Sequence, residues 1–269
     1  MTDILRRSMA PISDKAWAEI DNQAQRTLKG NLSARKVVDF SGPHGLELGA
    51  VNLGLLKLPE GDNARTAPWG LRQVLPLVEV RIPFTLKIWE LDNVDRGAKA
   101  PDLDTLIAAA RKIAIFEESA VYKGLSDAGI KGLIEAARHK PVALPKTAEG
   151  FVAAVEAGIL ALQNAGISGP YALVLGTTPY EILMAGCDPG YPIIKKVKAL
   201  VESGISWSPV LEGGIILSRR GGDFEFTSGQ DLAIGYKSHS ATEVELYLTE
   251  SFTFRVLEPQ AIVELKIKG

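Results

Sequence analysis

The sequence predicts an α+β fold with two subdomains and an extended arm, and three observations lead to this prediction. Apolar side chains recur at helical spacing in three long segments, and helix and strand patterns alternate through the middle of the chain. Residues 243–256 alternate like a strand with one buried face. With 269 residues and 46% hydrophobic content, the chain can bury one sizeable core or two modest ones.

The first predicted helix spans residues 13–29. Ser13 is a good N-cap, and Gly30 is placed to supply a left-handed residue after the helix. Its apolar stripe is narrow and consists of Trp17, Ile20, Ala24 and Leu28. A helix with such a stripe is expected to dock on a surface, not to lie at the centre of a core.

A hairpin arm is predicted for residues 46–76. Extended runs at 46–58 and 66–75 flank a turn-forming sequence, Pro59-Glu60-Gly61-Asp62-Asn63. Two strands alone are only marginally stable in water, and one partner strand does not cover leucines such as Leu53, Leu55 and Leu56. The arm is therefore expected to pack on a neighbouring subunit.

The next elements follow from local periodicity. Residues 81–89 alternate strictly and predict a half-buried strand with Ile82, Phe84, Leu86 and Ile88 on its apolar face. A long helix capped by Asp102 or Asp104 is predicted to reach about Gly124.

The middle of the chain predicts a helix at 147–163, a strand at 171–175, and helices near Glu181 and over 193–202. The last long strand, 243–256, presents one apolar face made of Val244, Leu246, Leu248, Phe252, Phe254 and Val256.

Charge and composition exclude several classes of partner. The formal net charge is -2 and the basic residues are scattered, so no nucleic-acid partner is expected. No stretch approaches the roughly 20 apolar residues of a membrane span, and a cytoplasmic location is predicted. Cys187 is the only cysteine, which excludes an internal disulfide and a thiol-based zinc cage within one chain.

Catalytic and metal-binding patterns are missing from the sequence. His44, His139 and His239 lie far apart, and none has a second ligand at helical or hairpin spacing. The sequence contains no nucleophile elbow, zinc-protease, P-loop or dinucleotide motif. No catalytic residue, metal site or required cofactor is predicted.

One residue suggests a ligand. Trp89 is predicted to share a polar strand face with Arg81 and Lys87, a combination suited to stacking a planar anionic ligand such as a flavin or a nucleotide. The alternative is that Trp89 packs against another subunit.

Ten short segments, spread nearly from end to end of the chain, form a characteristic set. Those in the first part of the chain are Arg7-Ser8-Met9-Ala10-Pro11, Arg35-Lys36-Val37-Val38-Asp39, Gly42-Pro43-His44-Gly45, Leu75-Pro76-Leu77-Val78-Glu79-Val80-Arg81 and Trp89-Glu90-Leu91-Asp92-Asn93. The later ones are Gly169-Pro170-Tyr171, Arg220-Gly221-Gly222-Asp223-Phe224, Gly229-Gln230-Asp231-Leu232, Ile234-Gly235-Tyr236 and Thr249-Glu250-Ser251-Phe252-Thr253-Phe254. In this order they resemble the encapsulins, also described as linocin-type bacteriocins.

The resemblance implies the fold of tailed-bacteriophage major capsid proteins. It implies a peripheral domain from residues 1–45, 77–135 and 229–269, an extended arm at 46–76, and an axial domain at 136–228. It also implies an icosahedral shell of one repeated subunit that encloses cargo enzymes, for iron storage or oxidative-stress protection. The cargo of such shells is commonly a ferritin-like protein or a dye-decolorizing-type peroxidase with a C-terminal targeting peptide.

The resemblance further implies a cargo-peptide groove between the N-terminal helix and the peripheral domain. The matching residues are Leu28, Leu32, Arg35, Asp39, Ile234 and Tyr236. Apolar pockets suit the side chains of a short extended peptide, and Arg35 and Asp39 are suited to fix its backbone or ends. The alternative for these two residues is an i,i+4 ion pair on a solvated surface.

A second implied site is the loop that lines the five-fold pore, here Ala185, Gly186, Cys187, Asp188, Pro189, Gly190 and Tyr191. Small residues leave a passable opening, and Asp188 repeated around a ring favours cations. Cys187 and Pro189 depart from the family pattern at this loop, and Ala34 replaces the usual glycine before Arg35.

Two other functions compete with a cargo-enclosing shell. A phage or prophage major capsid protein has the same fold and encloses a genome. A peptidase or bacteriocin-like activity needs a nucleophile, a base and an orienting group, for which the sequence offers no set. Cargo identity and subunit number are not encoded in the motifs of this chain.

Overall fold

The computed structural model describes residues 4–59, 67–188 and 190–268. Its α-helices are α1 (Asp14–Asn31), α2 (Ile88–Asp95), α3 (Asp104–Tyr122), α4 (Leu133–Ala136), α5 (Ala148–Asn164), α6 (Thr177–Ala185) and α7 (Ile193–Leu200). The first strands are β1 (Asp39–Ser41), β2 (Ala50–Lys57), β3 (Leu71–Pro76), β4 (Val78–Lys87), β5 (Val142–Leu144), β6 (Tyr171–Leu175) and β7 (Cys187–Asp188). The later strands are β8 (Tyr191–Pro192), β9 (Ile205–Trp207), β10 (Gly214–Ser218), β11 (Phe224–Ser228), β12 (Ala233–His239), β13 (Glu243–Val256) and β14 (Ile262–Ile267).

Strand β13 is the centre of the first sheet. It pairs antiparallel with β4 along one edge and with β11 and then β12 along the other, and β1 joins β11 in parallel. Helix α3 packs on β4 and β13, and α1 packs on α3. The sheet therefore has a helical layer on one face, with α1 outermost, as its narrow apolar stripe predicts.

The second sheet has the order β5-β14-β10-β6-β9. Helix α5 packs against β5, β10 and β14, and buries Phe151, Val155 and Leu162. The strands β6 and β10 are buried along their whole length, because they lie in the interior of the sheet. This sheet forms the core of the second subdomain.

The pairing of two strands differs from the predicted division of the chain. Strand β14 was assigned to the peripheral segment 229–269, but it pairs with β10 and β5 of the second sheet. Strand β11 was assigned to 136–228, but it pairs with β13 and β1. Local periodicity gives the strands without their partners, so the sheet that each of these two strands joins is not visible in the sequence. The division into a peripheral and an axial domain stays a prediction.

Local signals placed the long helices and the longest strand correctly. Ser13 caps α1, because its Oγ accepts the N–H of Ala16 at 3.1 Å. Thr147 caps α5 in the same way, accepting the N–H of Gly150 at 3.3 Å. Gly30 was predicted to follow α1, but the helix includes it and runs to Asn31, and the N–H of Leu32 donates to Leu28 O at 2.9 Å.

The arm is a two-stranded ribbon, because β2 pairs antiparallel with β3. Residues 60–63 of the predicted turn at 59–63, and the predicted strand start at Thr66, lie outside the described residues. Several large apolar side chains of the arm are exposed in the single chain: Leu55, Leu56, Leu58, Trp69 and Leu71. Among the described helices, even the longest lacks the unbroken apolar stretch that a membrane span requires.

Candidate peptide-binding groove

A groove of about 590 Å³ lies between α1, the segment that follows α1, and the start of β12. We call it the α1 groove. It is lined by Arg7, Asp21, Ala24, Gln25, Leu28, Lys29, Leu32, Arg35, Lys36, Asp231, Leu232, Ala233, Ile234 and Leu248. Four of the six residues predicted for the cargo site, Leu28, Leu32, Arg35 and Ile234, are therefore brought together here.

The apolar wall of the α1 groove comes from the first core. Leu28 belongs to the stripe of α1, and Leu32 is the first residue after this helix. Ile234 on β12 lies opposite Leu248 on β13. All four side chains are largely buried by packing within the chain, so the wall is formed in advance and presents a fixed surface to an occupant.

Arg35 forms the polar part of the groove, and three carboxylates hold it. Its Nε and Nη2 donate to Glu117 at 2.9 and 2.6 Å, Nη1 donates to Asp231 at 2.7 Å, and Nη2 also donates to Glu250 at 3.0 Å. Burial by itself lowers the pKa of Arg35, but the ion pairs with these carboxylates outweigh burial and raise that pKa. A guanidinium has five N–H donors, so one remains for another partner.

The remaining two predicted residues do not line the groove. Asp39 lies on β1, where its carboxylate accepts the N–H of Gly222 at 2.6 Å. The hydroxyl of Tyr236 lies 2.5 Å from Nδ1 of His239. The hypothesis of an Arg35–Asp39 ion pair is wrong, because in the described structure the partners of Arg35 come from α3, β13 and the turn before β12.

Other charged residues at the rim differ in their degree of pairing. Arg7 forms a two-point ion pair with Asp21, at 3.0 and 2.7 Å, and its guanidinium lies over the ring of Trp17 at 4.0 Å. Lys36 Nζ reaches Lys29 O at 3.5 Å. The Arg7–Asp21 pair ties the N-terminal segment to α1 and so shapes the rim.

Sequence reasoning missed three buried carboxylates around the groove: Glu117, Glu118 and Glu250. A signal for them existed. Glu250 lies on the apolar face of β13, between Leu248 and Phe252, and the two α3 residues continue the buried stripe after Ala114. A glutamate at an apolar position of a strand or helix indicates a paired buried charge, since unpaired charges are seldom buried.

Glu118 connects the segment after α1 to both subdomains. Its carboxylate accepts the backbone N–H groups of Ser33 and Ala34 at 2.8 and 2.7 Å, and the hydroxyls of Ser33 and Ser208 at 2.5 and 2.7 Å. Burial raises the pKa of Glu118, although these hydrogen bonds favour its charged form. The hydroxyl of the buried Tyr122 lies 2.7 Å from Ser33 Oγ and completes the network.

The predicted pore loop follows α6 as a short hairpin. Strand β7 pairs with β8, with Cys187 opposite Pro192 and Asp188 opposite Tyr191. Cys187 is a free, exposed thiol. Pro189 and the side chain of Asp188 lie outside the described residues, and the role of 185–191 in lining a pore stays a prediction.

Trp89 lies on a helix, so the prediction that it shares a strand face with Arg81 and Lys87 is wrong. Strand β4 ends at Lys87, and α2 begins at the next residue and buries Leu91 and Val94. Two apolar residues at i,i+3 spacing pack the segment as a helix, which overrides the alternation that precedes it.

The surroundings of Trp89 and Arg81 also differ from the prediction. The guanidinium of Arg96 lies 5.4 Å from the ring of Trp89, which is exposed. Arg81 instead pairs with Glu79 at 2.7 Å and lies over Tyr247 at 5.1 Å. Flavin stacking on Trp89 stays a prediction, without the shared strand face on which it was based. Within residues 4–59, 67–188 and 190–268, no group of three or more histidine, cysteine or carboxylate side chains is arranged to hold a metal ion.

Comparison of the sequence with known proteins gives a consistent family. The model of the Linocin_M18 family, described as "Encapsulating protein for peroxidase", matches residues 1–253. The chain is 45% identical over 272 aligned residues to the type 1 encapsulin shell protein of Rhodospirillum rubrum, covering 99% of this chain and 97% of that protein. It is 38% identical to the type 1 encapsulin shell protein of Mycobacterium tuberculosis, covering 97% and 98% of the two chains.

Comparison of the structure confirms the predicted capsid-like fold. The virus-like particle from Pyrococcus furiosus matches with a TM-score of 0.67 at 17% identity, covering 93% of this chain and 99% of that chain. The capsid of Myoviridae phage XM1 matches with a TM-score of 0.56 at 14% identity, covering 90% and 91% of the two chains. At these identities the structures show the fold alone. The family match and the sequence identities show more: this chain belongs to the encapsulin shell proteins, self-assembling subunits with a capsid-like fold.

Proposed function

We propose that this chain forms an icosahedral shell in the cytoplasm that encloses a cargo enzyme, captured in the α1 groove through a C-terminal targeting peptide. The geometry of this groove carries the proposal. Leu28, Leu32 and Ile234 offer fixed apolar contacts to alternate side chains of an extended peptide, and Arg35 retains one N–H for a backbone carbonyl or a terminal carboxylate.

A peroxidase of the dye-decolorizing type is the first cargo class that we propose. The description of the matched family, an encapsulating protein for peroxidase, supports this class. A ferritin-like protein is the second. The corresponding roles are oxidative-stress protection for a peroxidase and iron storage for a ferritin-like protein.

The test substitutes an exposed residue that lines the α1 groove, so that the core is left intact. Gln25 lines the groove and is exposed, whereas Asn22 is exposed on the same helix and does not line it. We expect Gln25→Tyr to fill the groove with a rigid ring and to give intact but empty shells. The matched control Asn22→Tyr should retain its cargo.

Shells purified from the source cell are examined by electron microscopy, and their content is identified by mass spectrometry. Equal amounts of the same cargo in both variants would contradict capture in the α1 groove. Nucleic acid inside the particles would raise the ratio of nucleic-acid absorbance to protein absorbance, and nuclease treatment of opened shells would reverse this rise. Such a result would favour a capsid protein that encloses a genome. Peptide hydrolysis by empty shells would revive the peptidase alternative.

A further inference from the structure

Arg35, Glu117, Asp231 and Glu250 form a group beneath the α1 groove, which we call the Arg35 cluster. Three carboxylates face a single guanidinium. The Glu117 and Glu250 side chains are 0% and 1% exposed, whereas Asp231 is 39% exposed and in contact with water. If both buried groups were ionised, the interior would contain more negative charge than Arg35 balances, which is costly in a medium of low polarity.

The hydrogen bonds of Glu250 indicate which carboxylate is neutralised by a proton. Its Oε2 accepts from Arg35 Nη2 at 3.0 Å, but its Oε1 is buried and receives no hydrogen bond from the described residues. The carboxyl groups of Glu250 and Glu117 meet at Arg35 Nη2, which donates to an oxygen of each, at 3.0 and 2.6 Å. Two adjacent carboxyl groups can hydrogen-bond to each other only when one of them carries a proton, since ionised carboxylates have acceptors alone.

The donors around Glu117 decide which group carries the proton. Both oxygens of Glu117 accept hydrogen bonds from Arg35. The donors are Nε and Nη2, which form one edge of the guanidinium. Such a two-point pair favours the ionised carboxylate. Glu250 has one donor and a buried free oxygen. We infer that Glu250 is the protonated member, that it donates to Glu117, and that this neutral form holds Arg35 in position at the α1 groove.

The groups that face Glu250 from its surroundings agree with this inference. They are Arg35 from the segment after α1, Glu117 from α3 and Asp231 from the turn before β12. Strand β4 places Val80 opposite Glu250, while its charged residues Glu79 and Arg81 lie on the other face and pair with each other. Glu118 is bonded to Ser33, Ala34 and Ser208. Burial and the neighbouring Glu117 raise the pKa of Glu250 well above its ordinary value.

The raised pKa of Glu250 predicts how its contribution to stability changes with pH. The folded chain binds the Glu250 proton more tightly than the unfolded chain does, so the stabilisation is fully present below the ordinary glutamate pKa of about 4.3. It is lost as pH rises through the pKa of the folded state. A rise in pH above that value should therefore loosen the Arg35 cluster, because Glu250 then loses its proton.

The test compares two isosteric changes in assembled shells. Glu250→Gln imitates the neutral form, because its amide donates to Glu117 and its oxygen accepts from Arg35. We expect this variant to assemble, and its thermal midpoint to fall less than that of the wild type over a series from about pH 5 to pH 10. Glu117→Gln removes the ionised partner of Arg35 and should lower the midpoint throughout. Glu225→Gln, which breaks the ion pair with Arg255 in the same sheet, is the control for a general loss of charge.

Infrared spectroscopy reads the proton directly. Wild-type shells at neutral pH should show the C=O stretching band of a protonated carboxyl group, and Glu250→Gln should lose it. An unchanged band in Glu250→Gln, or an alkaline fall as steep as that of the wild type, would overturn the inference. Neither measurement needs cargo, so both stand apart from the test of the proposed function.

The effect on the α1 groove rests on the proposed function and is measured separately. Cargo retention at high pH should be better in Glu250→Gln shells than in wild-type shells. Equal retention would show that the proton does not position Arg35 for docking, even if the infrared band is lost.

Discussion

Replacing Glu118 by alanine removes the acceptor at the junction of the two subdomains. The carboxylate is the hydrogen-bond acceptor of two backbone N–H groups, on Ser33 and Ala34, and of the Ser208 hydroxyl. All three of these residues are fully buried, so water does not replace the lost acceptor without a local opening. The Ser33 hydroxyl would not lose its last hydrogen-bond partner, because it keeps Tyr122.

The structure gives the size of the effect. Each buried N–H left without an acceptor costs about 1–3 kcal/mol, and the Ser208 hydroxyl adds about 1 kcal/mol. The raised pKa of Glu118 shows that burial of its carboxylate opposes part of this gain, and alanine relieves that cost. We therefore expect a net loss of about 2–4 kcal/mol in the free energy of unfolding, or roughly 4–16 °C in midpoint for a chain of this size.

Thermal midpoints of purified shells, compared at one protein concentration and one heating rate, measure this loss, since assembly and irreversibility both shift the midpoint. Glu156→Ala, on the exposed face of α5, is the matched control and should stay within about 0.5 kcal/mol of the wild type. Ser208→Ala removes one donor only and should cost about 1 kcal/mol. A Glu118→Ala midpoint equal to that of the control would refute the network as a source of stability.

Two further predictions concern backbone space and assembly. Gly30→Ala should raise the free energy of unfolding by about 0.5–1 kcal/mol, because this glycine lies inside α1 with open space around it. Gly176→Ala should lower the free energy of unfolding by about 1–3 kcal/mol, because the added Cβ would collide with the carbonyl oxygen of Leu211. Chemical denaturation with helix content as the readout separates the two; a stabilised Gly176→Ala would contradict the packing described. If the arm packs on a neighbouring subunit, Leu56→Asp should shift the protein from megadalton particles to small species in size-exclusion chromatography. The control Lys57→Asp should not. Intact Leu56→Asp particles would show that the Leu56 side chain makes no essential contact with a neighbouring subunit.

The long elements were predictable because their signals are local. Helical spacing gave α1, α3 and α5, and the alternation at 243–256 gave β13 with the observed bounds. Caps such as Ser13 act within one turn, and the sequence shows them directly. The prediction failed at Trp89, where a short helix follows a strand without a break in the alternation, so two periodicities fit the same few residues.

The sequence by itself determined the long helices, the longest strand, the family and the apolar wall of the α1 groove. Only the tertiary structure decided the polar part of that site. Arg35 meets its three carboxylates across sequence separations of 82, 196 and 215 residues, and β14 joins a sheet whose other strands precede it by dozens of positions. Periodicity shows which side chains a segment buries, but it does not show which distant segment buries them. A buried charge is stable only with a partner, and that partner is set by the fold as a whole.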